Sequence, residues 1–499
     1  MNTRAALPKV CIALGLPTVE KLLEQAEKEV AAGEHFLEFR LDYLARPEAG
    51  VKAIGVFLAK HPEVALLATC RRHQNHGKYN GVIEDQMKIL DAAIDAGAQA
   101  IDVEIETAEK TTSRLEHMRA KAHLIVSWHN YEGTPLLEPV LRRMMKVPAD
   151  AYKLVTTAKK PSDAAKVLGL QKAHPKVPMI LLAMGEVGFA TRVLCNAQGS
   201  IYTYAAPNSV EGTAAGQISA RMLRQIYRID KITKAAKIYG VVADPVRHSL
   251  SPAVHNRAFQ ARRLDAVYLP FLVQPAHLKD FLTLCESLPV QGFSVTIPHK
   301  LRIMRYLDVI DPLARRIGAV NTVWKKAGKW RGTNTDAAAV TKPLAKRVKL
   351  NRSTVLLVGN GGAARSAAFA LGDAGAKVVI TGRNPDRVRA LAKMCGAEPM
   401  LKEHLNGKKY DALVHATPMG MWPHMNECFF DGVVPAEVIF DMVYNPLETQ
   451  LMQRARAQGA EVIPGLEMFL TQAAQQFEIW TGESAPLSVM EKAALEALK

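Results

Sequence analysis

The 499-residue sequence has few cysteines and no long apolar run. Its six cysteines contain no CxxC pair, which argues against a disulfide framework and against a thiolate zinc site. The hydrophobic 48% alternates with charged segments, so no stretch approaches the ~20 apolar residues that span a membrane. The opening "MNTRAALPKVCIALGL" is interrupted by Lys9 and suits a buried strand better than a targeting segment. We expect a cytoplasmic protein with no membrane partner.

A metal site and a nucleic-acid surface also lack support. His73 and His76 in "RHQNH" have no acidic or thiol companions, which is typical of solvated loop histidines, and we expect no metal. The formal charge of +16 is spread along the chain without a basic block or an aromatic stripe. We therefore expect the positive charge to attract small anionic ligands and no nucleic acid.

The first ~230 residues repeat a pattern of short apolar strands separated by helical segments, which indicates βα units. Eight βα units in ~200–250 residues predict a closed (β/α)8 barrel, a TIM barrel, with an open doubly wound sheet as the alternative. The eight strand segments are "KVCIALGL", "HFLEFRLDY", "ALLATCR", "AIDVEIET", "HLIVSWHN", "AYKLVTTA", "PMILLAMG" and "SIYTYAAP".

A new strand series starts at "KIYGVVADP", with no Pro/Gly/Ser linker before it, and another starts at "TVLLVGN". The overall class is therefore α/β. We expect a barrel over residues 1–230, a substrate-binding domain over 236–348 and a dinucleotide-binding domain over 349–465. The helices of residues 466–499 should pack back on the substrate domain.

In such a barrel the reactive groups lie at the carboxyl ends of the strands. Polar residues occur there or along the strands at Glu38, Arg40, Arg71, Glu104, Glu106, His129 and Lys153. A buried lysine loses charge readily and becomes a nucleophile that forms a Schiff base with a ketone. Taken alone, Lys153 is better explained by a packed stem with a solvated head. His129, one strand earlier, favours the catalytic alternative because a neutral imidazole can remove a proton beside the iminium.

Over residues 8–228 the sequence resembles the type I 3-dehydroquinate dehydratases. "EFRLD" is similar to the family's Glu-x-Arg, "TCR" to its strand-three arginine, "SWHN" to its catalytic histidine and "YKL" to its Schiff-base lysine. The resemblance implies substrate contacts from Glu38, Arg40, Arg71, Arg192, Thr213 and Gln217. It also implies imine formation on Lys153, proton abstraction by His129 and loss of water, giving 3-dehydroshikimate without a metal.

One departure concerns the histidine. The family usually has a glutamate four residues after the strand-three arginine, where this chain has Asn75 followed by His76. An amide cannot supply the negative charge of that glutamate, so the substitution leaves open how His129 is oriented and which pH optimum results, while the lysine and the histidine themselves are retained.

The segment "TVLLVGNGGAARSAAFALGDAG" is a strand, a glycine loop and a helix in order, and it matches GxGxxA. Gly359 allows the tight turn, Gly361 lets the backbone approach a pyrophosphate, and Ala364 allows close helix packing. The next strand ends in "GRNPDR", with Arg383 and Arg387 in place of an acid. Arginines suit a 2′-phosphate, so we favour an NADP(H) site over the alternative that these are ordinary surface arginines at a helix start.

The middle segment places Ser249 and Ser251 before a helix, Lys300 after a strand and Asp336 before another helix. Each has an ordinary explanation, as a helix cap or as an ion pair, and together they suit a carboxylate site with an acid/base pair.

Residues 236–499 resemble the shikimate dehydrogenases. The resemblance implies Lys300 and Asp336 as the catalytic pair, and further substrate contacts from Ser249, Ser251, Thr296, Asn321, Tyr444 and Gln472. The implied NADP(H) contacts are Gly359, Asn360, Gly361, Gly362, Ala363, Arg383, Asn384, Arg387, Thr417, Met419 and Gly465. Ser294 stands where many relatives have asparagine, and Ala337 where glycine is common, which predicts altered substrate contact or loop geometry.

The sequence therefore predicts a bifunctional enzyme of the shikimate pathway, acting on 3-dehydroquinate and 3-dehydroshikimate and releasing shikimate, as a monomer or homodimer. Three alternatives remain at this stage. They are a Schiff-base aldolase fused to a quinate-preferring dehydrogenase, a catalytically silent sensor of pathway intermediates, and a nucleic-acid binder suggested by charge alone.

Overall fold

The computed structural model describes residues 5–208 and 212–498. The chain divides into two compact units, Met1–Ala236 with Phe271–Pro289 and Lys237–Pro270 with Val290–Lys499. None of the helices in these described ranges is long and apolar enough to cross a membrane.

The first unit is built on a nearly closed parallel barrel. Its strands are β1 (Val10–Leu14), β2 (Phe36–Arg40), β3 (Ala65–Thr69), β4 (Ala100–Glu104), β5 (His123–His129), β6 (Ala151–Thr157), β7 (Met179–Met184) and β8 (Thr203–Ala205). They follow the order β7-β6-β5-β4-β3-β2-β1-β8, and each neighbouring pair in this order is parallel. Ile201 N donates to Met179 O at 2.9 Å, which links the two ends of the ladder. The barrel prediction is confirmed.

Helices follow the strands and cover the barrel. They are α1 (Val19–Ala31), α2 (Pro47–Lys60), α3 (Ile83–Asp95), α4 (Ile105–Ala108), α5 (Thr112–Lys121), α6 (Glu138–Met144), α7 (Pro161–Ala173), α8 (Phe189–Leu194) and α9 (Ala220–Gln225). Helix α1 shows why these segments are helical and pack on the barrel. Thr18 caps its first turn, and Leu22 and Ala26 are buried on one face. Glu106, expected on strand four, lies in α4 instead, because β4 ends at Glu104 and the chain turns there.

One helix from later in the chain belongs to this first unit. Helix α11 (Leu278–Ser287) packs against α7. Asp280 accepts hydrogen bonds from the backbone N and the Oγ of Ser162, both at 2.7 Å. These contacts explain why Phe271–Pro289 groups with the barrel.

The second unit begins with a mixed sheet. Its strands are β9 (Lys237–Ala243), β10 (Ala266–Leu272), β11 (Val290–Val295), β12 (Val309–Ile310), β13 (Thr322–Lys326) and β14 (Lys329–Thr333), in the order β10-β9-β11-β13-β14-β12. The helices along this stretch are α10 (Ser251–Ala261), α12 (Pro312–Ile317) and α13 (Asp336–Ala345). The pairs β11–β13 and β13–β14 are antiparallel.

A Rossmann-type parallel sheet follows. Its strands are β15 (Thr354–Val358), β16 (Lys377–Thr381), β17 (Glu398–Pro399), β18 (Tyr410–His415), β19 (Ala436–Asp441) and β20 (Glu461–Ile463), in the order β17-β16-β15-β18-β19-β20. Helices α14 (Gly362–Asp373), α15 (Pro385–Cys395) and α16 (Gln450–Ala457) connect them. The order reverses at β15, so a ligand crevice is expected between the carboxyl ends of β15 and β18.

The chain ends in helices α17 (Gly465–Thr481) and α18 (Leu487–Ala497). Trp480 anchors α17 to the mixed sheet, since its Nε1 donates to Val323 O at 3.0 Å and Tyr239 Oη donates to Trp480 O at 3.2 Å. Helix α18 packs against α10.

Candidate active sites

The barrel holds a cavity of about 370 Å³ at the carboxyl ends of its strands. All eight residues proposed from sequence for this half line it: Glu38, Arg40, Arg71, His129, Lys153, Arg192, Thr213 and Gln217. The parallel register explains this convergence, because the carboxyl ends of successive barrel strands meet at one rim.

Lys153 lies deep in this cavity, with only 4% of its surface exposed. Its Nζ donates to Asp102 Oδ2 at 2.8 Å and to Tyr204 Oη at 2.9 Å. The lysine therefore points into the barrel. Its head reaches a carboxylate and a phenol, so the packed-stem explanation with a solvated head does not apply.

Asp102 neutralises two cations at once. Arg71 NH2 donates to its Oδ1 at 2.9 Å, and Ser127 Oγ donates to the same oxygen at 2.6 Å. Burial alone would raise the pKa of Asp102, but the charges of Lys153 and Arg71 outweigh burial and hold that pKa well below its ordinary value. The carboxylate is therefore ionised at neutral pH.

His129 lies beside the same arginine. Its Nε2 is 3.1 Å from Arg71 NH1, and since a guanidinium only donates, Nε2 carries the lone pair. Burial and the positive charges of Arg71 and Lys153 lower the pKa of His129 well below its ordinary value. The imidazole is neutral near pH 7 and can accept a proton.

Arg192 is a cation suited to an anionic ligand. It is 1% exposed, and its Nε has no hydrogen-bond partner among the described residues. Its NH2 donates to Ala215 O at 3.0 Å. Burial lowers the pKa of Arg192 to about 10, which leaves it charged and in need of an anion.

Three other predicted substrate contacts, Arg40, Glu38 and Gln217, already have hydrogen-bond partners within the chain. Arg40 forms a bidentate pair with Asp42, both bonds at 2.8 Å. Glu38 accepts from Thr69 Oγ1 at 2.6 Å. Gln217 Oε1 accepts from Ala214 N at 3.2 Å. These groups are held in place before a ligand arrives.

The loop that contains Asn75 and His76 lies close to His129. Asn75 Nδ2 donates to Glu106 Oε2 at 2.9 Å, so the amide turns toward Glu106. Tyr131 stacks near His129, with ring centroids 6.1 Å apart and planes at 17°. His76 also packs on Tyr131, with ring centroids 4.1 Å apart. Aromatic contact and Arg71 therefore orient the His129 ring.

Sequence reasoning missed Asp102 and Tyr204. Asp102 lies between Ile101 and Val103 on β4, and Tyr204 lies on the short strand β8. Asp102 is visible in the segment "AIDVEIET". The two glutamates of that segment lie nearer the carboxyl end of the strand, where reactive groups are expected, and were therefore preferred as candidates. Glu104 instead accepts bonds from Arg72 N and Gln86 Nε2, at 2.9 and 2.8 Å.

The second unit brings Lys300 and Asp336 together. Lys300 Nζ lies 2.5 Å from Asp336 Oδ2, with the two side chains 13% and 6% exposed. Asn321 Nδ2 donates to Asp336 Oδ1 at 2.7 Å. A Cβ placed on Gly362 would lie 3.4 Å from Lys300 Cδ. The ion pair thus sits beside the start of α14, next to the glycine loop.

A buried hydrogen-bond network supports this pair, and its central residue, Gln476, was not predicted. Gln476 Nε2 donates to Thr322 Oγ1 at 3.1 Å. Its Oε1 accepts from Ser294 Oγ at 2.8 Å. Ser294 in turn accepts from Tyr268 Oη at 2.7 Å. Ser294 therefore joins the network behind Asn321.

The remaining predicted substrate contacts have local partners. Ser249 Oγ accepts from Ser251 N at 3.3 Å. Gln472 Nε2 donates to Phe469 O at 3.1 Å, and Tyr444 packs on the Phe469 ring at 5.0 Å.

Two further positions that the sequence singled out, Thr296 and Ala337, are fixed by a backbone hydrogen bond and by core packing. Thr296 N donates to Val242 O at 3.1 Å. Ala337 is buried against Ile317 and Phe369, so its methyl group fits the core without a glycine.

The glycine loop fits a dinucleotide. Gly359 has φ +131°, and a Cβ there would lie 2.8 Å from Ala416 O, so only glycine is tolerated. Gly361 precedes α14 with no side-chain cap, and a Cβ on it would meet nothing within 4 Å. The free backbone N–H groups at this helix start form an anion site with room for a phosphate.

The other predicted cofactor residues surround this loop. Arg383 and Arg387 are exposed and form no ion pair within the described ranges. Asn384 caps α15, with its Oδ1 accepting from Arg387 N at 3.0 Å. A Cβ on Gly465 would lie 2.3 Å from Val443 O, which requires glycine there.

Asn360, Gly362 and Ala363 form the loop-to-helix turn. Thr417 and Met419 follow β18 and are partly buried, with Met419 N donating to Thr417 Oγ1 at 3.2 Å.

The folds and sites define an α/β protein of two enzymatic parts, a barrel with a buried lysine and a dehydrogenase with a dinucleotide loop. Residues 10–234 match the type I 3-dehydroquinase family. Residues 241–323 match the shikimate dehydrogenase substrate binding domain, 342–418 the shikimate / quinate 5-dehydrogenase family, and 465–495 the shikimate 5′-dehydrogenase C-terminal domain.

The chain is 33% identical to the chloroplastic bifunctional 3-dehydroquinate dehydratase/shikimate dehydrogenase of Arabidopsis thaliana, over 96% of this chain and 82% of that protein. It belongs to this family of bifunctional enzymes. The second half is 37% identical to a shikimate dehydrogenase (NADP(+)) of Methanobrevibacter smithii, covering 54% of this chain and 99% of that one. A shikimate dehydrogenase crystallised with NADP+ aligns with a TM-score of 0.50 at 36% identity, covering 54% of this chain and 98% of that chain.

Proposed function

We propose that the chain carries out the two reactions of its family in sequence: dehydration of 3-dehydroquinate to 3-dehydroshikimate, then reduction to shikimate with NADPH. The proposal assigns residues 1–230 to the dehydratase, 236–348 and 466–499 to the substrate side of the dehydrogenase, and 349–465 to NADP(H) binding. Three separate sheets support this division, while the segment Phe271–Pro289, within 236–348, groups with the barrel unit.

The observation that carries the dehydratase assignment is the buried Lys153 facing a polar cavity beside a neutral His129. Lys153, paired with Asp102, gives up a proton before its amine adds to the substrate ketone, and the ketone oxygen leaves as water with that proton, so that a protonated imine remains. Neutral His129 removes a proton from the adjacent carbon, the β-hydroxyl departs with a proton as water, and hydrolysis frees the lysine.

The cations of the cavity recognise the substrate. Arg192 lacks an anionic partner among the described residues and suits the substrate carboxylate, since a charge-assisted bond to a buried guanidinium is strong. Arg71 is already paired with Asp102 and orients His129. Glu38, Arg40, Thr213 and Gln217 are assigned to the hydroxyl groups of the substrate.

In the dehydrogenase, Lys300 protonates the developing alkoxide and Asp336 holds the ammonium in place. When bound, NADPH supplies the hydride. Ser249, Ser251, Thr296, Asn321, Tyr444 and Gln472 are assigned to the substrate.

Arg383, Asn384 and Arg387 are assigned to the 2′-phosphate of NADP(H). The phosphate loop is assigned to Gly359, Asn360, Gly361, Gly362 and Ala363. Thr417, Met419 and Gly465 are assigned to the walls of the cleft near the nicotinamide.

Two experiments test the assignment. Borohydride added with 3-dehydroquinate should trap a covalent adduct on Lys153, found by peptide mass spectrometry and absent from Lys153→Ala. An unmodified lysine in an active protein would refute the imine. In a coupled assay, NADPH should be consumed on addition of 3-dehydroquinate alone. Binding of 3-dehydroquinate without consumption would favour a sensor of pathway intermediates.

A further inference from the structure

A buried polar cluster lies at the crevice of the Rossmann sheet, and the proposed function does not use its histidine. The cluster consists of His415, Thr417, Asp441 and Thr449. His415 ends β18 and Asp441 ends the neighbouring β19, with 2% and 0% of their surfaces exposed. A fully buried carboxylate needs several donors, so its partners report what it holds in place.

Asp441 has partners on both oxygens. His415 Nδ1 lies 2.9 Å from Oδ1, and Val443 N donates to the same oxygen at 3.1 Å. Thr449 Oγ1 donates to Oδ2 at 2.6 Å. Because the carboxylate only accepts, His415 donates to it from Nδ1.

The other face of His415 holds Thr417. Its Nε2 lies 2.5 Å from Thr417 Oγ1, and that oxygen also accepts from Met419 N at 3.2 Å. With both bonds in place, the Thr417 side chain has one orientation. Its methyl group then faces the glycine loop, since a Cβ on Gly359 would lie 3.3 Å from Thr417 Cγ2.

The same carboxylate supports the far end of this segment. Gly420 has φ +79°, and a Cβ there would lie 3.5 Å from Thr449 Cβ. Asp441 thus fixes residues 417–420 at both ends, through His415 and Thr417 at the start and through Thr449 beneath Gly420. These residues form a wall of the crevice where the strand order reverses.

We propose that His415 is a positioning residue for the dinucleotide site, and that the His415–Asp441 pair sets the shape of the 417–420 wall against the phosphate loop. The inference rests on the proposed NADPH-dependent reduction. It predicts that loss of His415 weakens dinucleotide binding and leaves the substrate site and the dehydratase intact.

The test uses the full-length protein with His415→Asn and His415→Gln. Asparagine places its amide where Nδ1 of His415 lies, so it keeps the hydrogen bond to Asp441 and loses the one to Thr417. Glutamine reaches the position of Nε2 and restores the Thr417 bond. We expect His415→Asn to raise the Kd for NADPH about tenfold, as the loss of one good hydrogen bond predicts. The KM for shikimate should stay within about twofold, and His415→Gln should recover part of the affinity.

Thr417→Val tests the same contact without disturbing Asp441, and should raise the NADPH Kd about as much. Because both variants remove the same bond, combining Thr417→Val with His415→Asn should add little. His404→Asn, which changes an exposed histidine of the same sheet domain, is the matched control and should bind NADPH normally. The dehydratase rate and circular dichroism check folding.

The outcomes separate the two hypotheses. A wild-type protein that does not bind NADPH overturns both the proposed function and this inference. Wild-type binding with unchanged NADPH affinity in folded His415→Asn and Thr417→Val overturns the inference alone. Equal losses in NADPH affinity, shikimate KM and dehydratase rate also overturn it, because they show general destabilisation.

Discussion

Replacement of Asp102 by asparagine should destabilise the barrel and abolish most dehydratase activity. The carboxylate lies 2.8 Å from Lys153 Nζ and 2.9 Å from Arg71 NH2. At an effective dielectric constant near 20, each such attraction amounts to about 6 kcal/mol before the cost of burial is subtracted. The neutral amide of the variant would leave the buried Lys153 without its anion and would leave Arg71 with Glu104 alone, whose Oε1 lies 3.8 Å from Arg71 Nε. Breaking a buried pair in this way costs ~3–5 kcal/mol.

The pH dependence of this effect has a definite sign. The pKa of Asp102 is lowered in the folded protein, so its contribution is fully present above the ordinary aspartate pKa of about 3.9. It is lost as pH falls toward the lowered value. The stability difference between wild type and Asp102→Asn should therefore be constant from about pH 7 to about pH 5 and narrow only below about pH 4.

The assay follows both activities of one chain across a urea series. The residual dehydratase activity of Asp102→Asn, expressed as a fraction of its value without urea, should be lost at lower urea than in wild type, while dehydrogenase activity keeps its midpoint, because Asp102 lies in the first unit. Glu109→Gln is the control, since Glu109 pairs with Arg143 at the surface and exposed pairs contribute ~0–1 kcal/mol. A midpoint for Asp102→Asn equal to that of the control, or a difference that grows at acid pH, would refute the reasoning.

Three further variants test other parts of the structure. Arg192→Ala should raise the dehydratase KM about 10- to 100-fold with a smaller effect on kcat, because it removes an anion contact, and steady-state kinetics checks this. Lys300→Ala should lower dehydrogenase kcat by about 10²–10⁴ while NADPH affinity, measured by fluorescence titration, stays near normal. Gly359→Ala should abolish NADPH binding because its Cβ would meet Ala416 O at 2.8 Å, and unchanged dehydratase activity in the same sample would show that the first unit remains folded.

Much of the fold was readable from local patterns. The strand spacing predicted the barrel because each βα unit occupies about 30 consecutive residues. The structure confirms the barrel. The glycine loop was equally clear, since its constraints are local: a positive φ at Gly359 and a helix starting at Gly362.

Partnerships between distant residues were not readable in this way. Lys153 meets Asp102, which lies 51 residues earlier in the chain, whereas Arg192 has no acidic partner among the described residues. Gln472 and Gln476 lie one turn apart on α17, and the sequence favoured Gln472. Only the packing of α17 on the mixed sheet shows that Gln476 reaches Ser294 and Thr322.

The sequence by itself determined the class of fold, the family resemblance and the residue types needed for imine and hydride chemistry, because these depend on short motifs and on periodicity. The tertiary structure decided which buried polar groups meet. Asp102, between Lys153 and Arg71, and Asp441, behind His415, are aspartates like many others until strands bring them beside their partners. Burial then strengthens these contacts, because water no longer screens the attraction between their groups.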